Sequence, residues 1–139
     1  MNALAEFLFP APAPRRAPAI VAWWERRRLA YNASVGAAGL VSLGAVGIAN
    51  LVMGGESMFP QALIVAAVFG GVANLCYCLG PAAELLISRI WGRGVLPAGP
   101  ALYRMGLTFS VGLALMPTLL TVLLGVARVV LAVLGLHWD

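Results

Sequence analysis

A helical transmembrane bundle of three spans is the fold class this sequence predicts, and three observations predict it. The 139-residue chain is 62% hydrophobic and only 10% charged, with a mean hydropathy of +0.95. A soluble chain this short cannot bury so much apolar surface in one core, because small domains leave much of their surface in contact with solvent. Three charge-poor runs reach the roughly 20 residues that a helix needs to cross the hydrocarbon. Finally, all nine basic residues are arginines, and most of them flank those runs rather than forming a face of their own. That distribution is an orientation signal in a membrane, not a phosphate-binding surface, so no nucleic-acid partner is expected.

The first 29 residues read as an arm. "MNALAEFLFPAPAPRRAPA" has triplets resembling signal-peptide cleavage sites but neither a basic start nor a 7–15-residue apolar stretch, so it is expected to stay attached. Its Pro/Ala/Arg content favours an extended, partly disordered strand of chain. Trp23 and Trp24, beside Arg26, Arg27 and Arg28, read as an interfacial anchor that also meets anionic lipid headgroups.

Residues 30–139 form the membrane domain, with spans expected at about 31–53, 60–81 and 104–127. The first two are joined by "GGES", a short outer turn bearing Glu56, which predicts a tight antiparallel hairpin. The connection before the third span carries Arg89, Arg93 and Arg104. Together with Arg15, Arg16 and Arg26–Arg28, these place the N-terminus and the second connection on the cytoplasmic side of a multi-pass protein. The apolar stretch from Ala101 to Trp138 is about 55 Å long as one helix, against a hydrocarbon core of about 30 Å. A single long helix, kinked at Pro117, with Arg128 reaching the outer interface, is the favoured reading. A re-entrant hairpin at Pro117 is the alternative, disfavoured because lipid does not tolerate broken backbone.

On the second span Ala62, Ala66, Gly70, Asn74, Cys78 and Ala82 recur at intervals of four without a large side chain. In lipid such small-residue stripes are helix-packing faces. Ser34, Ala38 and Ser42 offer a counterpart on the first span, so packing within the chain is expected, with a homo-oligomer or larger membrane complex as the alternative use.

The run "GGVANLCYCLGPAAELLISRIW" concentrates the polar residues of the second span. Tyr31 and Asn32 open the first span where Tyr77 and Glu84 close the second, and Arg104 opens the third at a similar depth. With Asn74 these residues make a candidate polar cluster on the cytoplasmic side. Glu84 is expected to pair with Arg104 or the Arg26–Arg28 run, because a carboxylate at the hydrocarbon boundary is costly alone. Two uses follow: a clasp holding three helix ends, or a protonatable group in a small oligomeric transporter or channel using Asn74 and Glu84. The interfacial depth favours the clasp.

Other chemistry finds no support. Cys76 and Cys78 point to nearly opposite sides of a helix, and His137 stands alone, so no metal site or cofactor is expected. The Ser and Thr residues lack an activating His–Asp pair, and no nucleotide-binding glycine loop is present, so no catalytic residue is expected either. The segments "WWERRRLAYN" and "ANLCYCLGPAAE" resemble small uncharacterised bacterial inner-membrane proteins, through Tyr31, Asn32, Asn74, Cys76, Tyr77, Gly80 and Glu84. The resemblance covers the first two spans and implies a bacterial inner-membrane location without an activity. The expected role is a non-enzymatic scaffold or accessory subunit.

Overall fold

The computed structural model describes residues 16–52, 59–92 and 98–135 and contains three helices, with no strand among these residues. Helix α1 runs Ala17–Val52, α2 Phe59–Ile90 and α3 Gly99–Val133. All three are long and apolar enough to cross a membrane. Large apolar side chains cover the outside, with Leu51 84% and Val133 81% exposed. Water does not tolerate such a coat, and three helices of this kind describe a multi-pass membrane protein in contact with lipid. The expected outer turn with Glu56, together with Arg15, Arg93, His137 and the C-terminal residues, lies outside the described residues.

Helix α1 starts at Ala17, well before the expected span, so residues 17–29 are helical rather than an extended arm. Pro18 sits in the first turn, where its missing N–H removes no intrahelical bond, and no Gly or Pro follows until Gly36. Tertiary contact completes the explanation. Ile20, Trp24, Tyr31, Val35, Ala38 and Ser42 lie on one face at steps of three, four and seven, and all are buried. Trp24 is only 2% exposed, so it is a core residue and not the interfacial anchor expected of it.

Helix α2 continues through Pro81 to Ile90. Helix α3 begins at Gly99, with Pro100 in its first turn, and continues through Pro117 to Val133. No re-entrant hairpin forms. Beyond its end, Leu134 and Gly135 donate to the carbonyls of Val130 and Ala132, and Gly135 takes the left-handed conformation (φ +69°) that stops the helix.

Helix α1 is the centre of the bundle. It runs antiparallel to α2, since Trp24 meets Tyr77 and Glu84 while Tyr31 meets Ala73. It runs parallel to α3, since Tyr31 meets Ser110 and Ser42 meets Ala114 and Thr118. The most extensive contact is between α1 and α3, not between α1 and α2 as the short turn predicts. Small residues line it: Ser42 meets Ala114, Tyr31 meets Ser110, and Ala38, Ser42, Ser110 and Ala114 are all buried. Ser34, expected on this packing surface, is exposed and bonds back to the Ala30 carbonyl at 2.8 Å.

The α2 stripe does not form one face. A step of four residues overshoots a helical turn by about 40°, so six such positions wind halfway round the helix. Ala62, Ala66, Gly70 and Asn74 are half-buried along a cleft beside α1, whereas Cys78 and Ala82 are exposed.

Candidate functional site: a polar clasp at the arginine-rich end

Most of the buried polar groups gather where all three helices meet at the end bearing Arg26–Arg28. Trp24 and Tyr31 on α1 are seven residues apart, and so are Tyr77 and Glu84 on α2. In antiparallel helices these two intervals lie side by side. The Trp24 indole Nε1–H donates to Glu84 Oε2 at 2.8 Å, and the Tyr77 hydroxyl donates to the Trp24 carbonyl at 2.5 Å. Rings of Trp24 and Tyr77 meet edge-to-face at 5.4 Å, and Tyr31 stacks obliquely on Tyr77 at 4.6 Å. Tyr103 of α3 closes the aromatic group, 6.2 Å from both Trp23 and Trp24.

One turn deeper, the Tyr31 hydroxyl donates to the Ala73 carbonyl at 3.2 Å and shares a 2.7 Å bond with Ser110. With the Tyr31 proton on Ala73, Ser110 is the donor in that second bond. The same arrangement recurs further along α1. Ser42 donates to the Ala114 carbonyl at 2.5 Å and stands 2.9 Å from the Thr118 hydroxyl, which then donates to it.

Glu84 joins the third helix through a carboxylate that is 5% exposed as a residue. Ala98, at the start of α3, supplies no capping side chain, and the Glu84 carboxylate lies against Gly99 instead. A Cβ on Gly99 would overlap Glu84, meeting Cδ at 3.0 Å and Oε1 at 3.1 Å. Negative charge at a helix N-terminus is favourable, because the first-turn N–H groups have no intrahelical acceptor. Gly80 plays the matching part for Trp24. A Cβ there would meet the indole at 2.5 Å and 2.8 Å, so only a glycine lets the outer edge of the ring reach α2.

Of the six residues expected to converge, Tyr31, Tyr77 and Glu84 do so and are buried together. Asn32 and Asn74 are half-buried in the neighbouring cleft, where Asn74 Nδ2 donates to its own helix at the Gly70 carbonyl, 3.2 Å away. Arg104 is exposed on the second turn of α3. Arg28 pairs with Glu25 at 2.7 Å, and Arg27 lies 3.7 Å over the Trp23 ring. The bond that orients Glu84 comes from Trp24, a donor the sequence does not single out. Only the shared seven-residue interval could have revealed it. Gly99 and Ser110 carry no signal of their own in the sequence.

No protein-family model matches the chain, and no curated protein and no solved structure matches it. The arrangement of side chains is therefore the whole basis for a functional reading. Chemically, the clasp holds its polar atoms in mutual hydrogen bonds. Between the Tyr31–Ser110 pair and the Ser42–Thr118 pair lies an apolar layer of Val35, Ala38 and Ala114.

Proposed function

We propose that the chain is a non-enzymatic scaffold or accessory subunit of a bacterial inner membrane, with its N-terminus cytoplasmic and its Arg-rich end at anionic headgroups. One observation carries this reading: the buried polar side chains serve to join helices to one another. Trp24, Tyr31, Tyr77 and Glu84 tie α1, α2 and α3 together at one end. Interhelical hydrogen bonds are a main source of cohesion where lipid removes the hydrophobic drive between helices. A protein built in this way presents a fixed apolar exterior to membrane partners, either further copies of itself or a larger complex.

The competing use, conduction past Asn74 and Glu84, is weakened by the position of those residues. Glu84 belongs to the clasp and Asn74 to the cleft, and the Val35–Ala38–Ala114 layer interrupts the polar groups of the core.

Reconstituted liposomes test the reading. Glu84→Gln should lower thermal stability in detergent and leave proton and solute flux at the level of empty vesicles, as should the wild-type chain. A flux carried by the wild type and abolished in a folded Glu84→Gln variant would replace the scaffold with a transporter. Turnover of any substrate that depended on the same residue would replace it with an enzyme.

A further inference from the structure

We infer that the cleft between α1 and α2 is a binding site for one anionic phospholipid, with an acyl chain along the cleft and the phosphate at Arg28. The inference rests on the membrane reading above and deepens it by naming a bound partner. The cleft, open along one side, has a volume of about 640 Å³ and is lined on α1 from Asn32 to Val46, a distance of about 21 Å at the helical rise. One leaflet is half of a hydrocarbon core of about 30 Å, so the cleft is long enough for a chain to run through its whole leaflet. Val35, Val65, Ala66 and Phe69 give it apolar walls, with Pro117 of α3 at its floor.

None of the described residues fills this space. A Cβ placed on Gly36, Gly39 or Gly70 would meet no atom within 4 Å. Walls without partner atoms lose dispersion contacts, and hydrocarbon is the material at hand to restore them.

The polar groups at the Arg-rich mouth are ordered as a phospholipid is. The outermost is Arg28, whose Nη2 bridges the seam between the helices to Cys78 Sγ at 3.7 Å while also holding Glu25. Its guanidinium stands 5.2 Å over the Tyr77 ring, and its Nε–H is enclosed without an acceptor among the described residues. The Nη1 amino group, which is not enclosed and has no partner among the described residues, stays available to an anion, and phosphate is the anion that a guanidinium fits best. Glu25 opposes the anion, but Arg26 and Arg27 flank it in sequence and leave this turn of α1 positive.

One turn deeper come Asn32 and Asn74, at the level where glycerol esters follow a phosphate. Asn32 makes no hydrogen bond to the described residues, so its amide is available to an ester carbonyl. A second copy of the chain fits less well. Pairing two clefts about an axis normal to the membrane would bring two Arg26–Arg28 turns to one depth, like charge against like.

Native mass spectrometry of the full chain in detergent, titrated with phosphatidylglycerol or phosphatidylcholine, tests the site. The wild type should retain one phosphatidylglycerol in preference to phosphatidylcholine. Arg28→Gln should reduce that retention roughly fivefold without changing phosphatidylcholine, the effect of one interfacial arginine. Gly39→Leu and Gly70→Leu, which grow into the empty cleft, should abolish retention of both lipids while keeping helicity and melting temperature. Arg26→Gln should lower phosphatidylglycerol retention clearly less than Arg28→Gln, because Arg26 is exposed, turns back to the Ala22 carbonyl at 3.3 Å and adds only to the general charge of this turn. Equal retention of the two lipids, or full phosphatidylglycerol binding by the leucine variants, would overturn the site. So would a dimer that Gly39→Leu dissolves, since the cleft would then hold a second copy. The underlying membrane reading fails separately, by recovery of a folded chain in buffer without amphiphile.

Discussion

At the scale of single residues, two glycines and one indole determine whether the clasp can close. Trp24 is enclosed on every side: its N–H is held by Glu84, its ring lies against Gly80, and Tyr77 meets it edge-on. The ring therefore has no room to retreat from a new methyl group. Gly80→Ala should cost about 1–3 kcal/mol, as overpacking of a filled core does. Gly70→Ala should stay within about 0.5 kcal/mol, because its Cβ would meet nothing within 4 Å. Reversible unfolding of both variants in mixed micelles separates the two cases, and equal losses would refute the enclosure of Trp24. Trp24→Phe addresses the same contact from the other side. It keeps the apolar ring and removes the donor, so that the buried Glu84 carboxylate loses a partner at a cost of about 1–3 kcal/mol in the same assay.

At the scale of helices, the α1–α3 seam is held by small residues with hydroxyls between them. Ser42→Ala removes its bonds to Ala114 and Thr118 and should destabilise by about 0.5–2 kcal/mol, the range for hydrogen bonds between membrane helices. Ser34→Ala should be nearly silent, since Ser34 is exposed and bonds only within α1. If the two variants lose equal stability, the seam is not where the bundle coheres. The three helices were legible in the sequence because apolar length alone reports them. Their ends were less so: composition marked residues 17–29 as an arm, although Ile20 and Trp24 continue the buried face of α1. The antiparallel contact of α1 with α2 was legible, but the larger α1–α3 interface was not. A short turn and a row of small residues pointed to α1 against α2, but which small residues meet depends on helix rotation, and intervals of four drift around the axis. Glu84 as a three-helix clasp was readable from its depth, whereas its Trp24 partner depended on a register that only the folded bundle sets.

At the scale of the whole molecule, three crossings place the start of α1 and the end of α2 on one side. In a chain carrying Cys76→Ala and Cys78→Ala, cysteines replacing Arg16 and Arg89 should react with an impermeant maleimide from the same face, and one replacing Val133 from the other. Labelling of positions 16 and 89 from opposite faces would break the three-span arrangement. The order of the helices has a further consequence, for biogenesis. The principal mate of α1 is α3, made after α2: Tyr31 and Ser42 find Ser110, Ala114 and Thr118 only 72 to 79 residues later in the chain. At ribosomal speeds of about 5–20 residues per second, that interval is on the order of 4–15 s. Throughout it, Ser42 lacks its final acceptor at Ala114, and Tyr31, whose acceptor Ala73 arrives with α2, lacks its donor Ser110. A product truncated after α2 would lack the α1–α3 seam, the most extensive interface of the bundle.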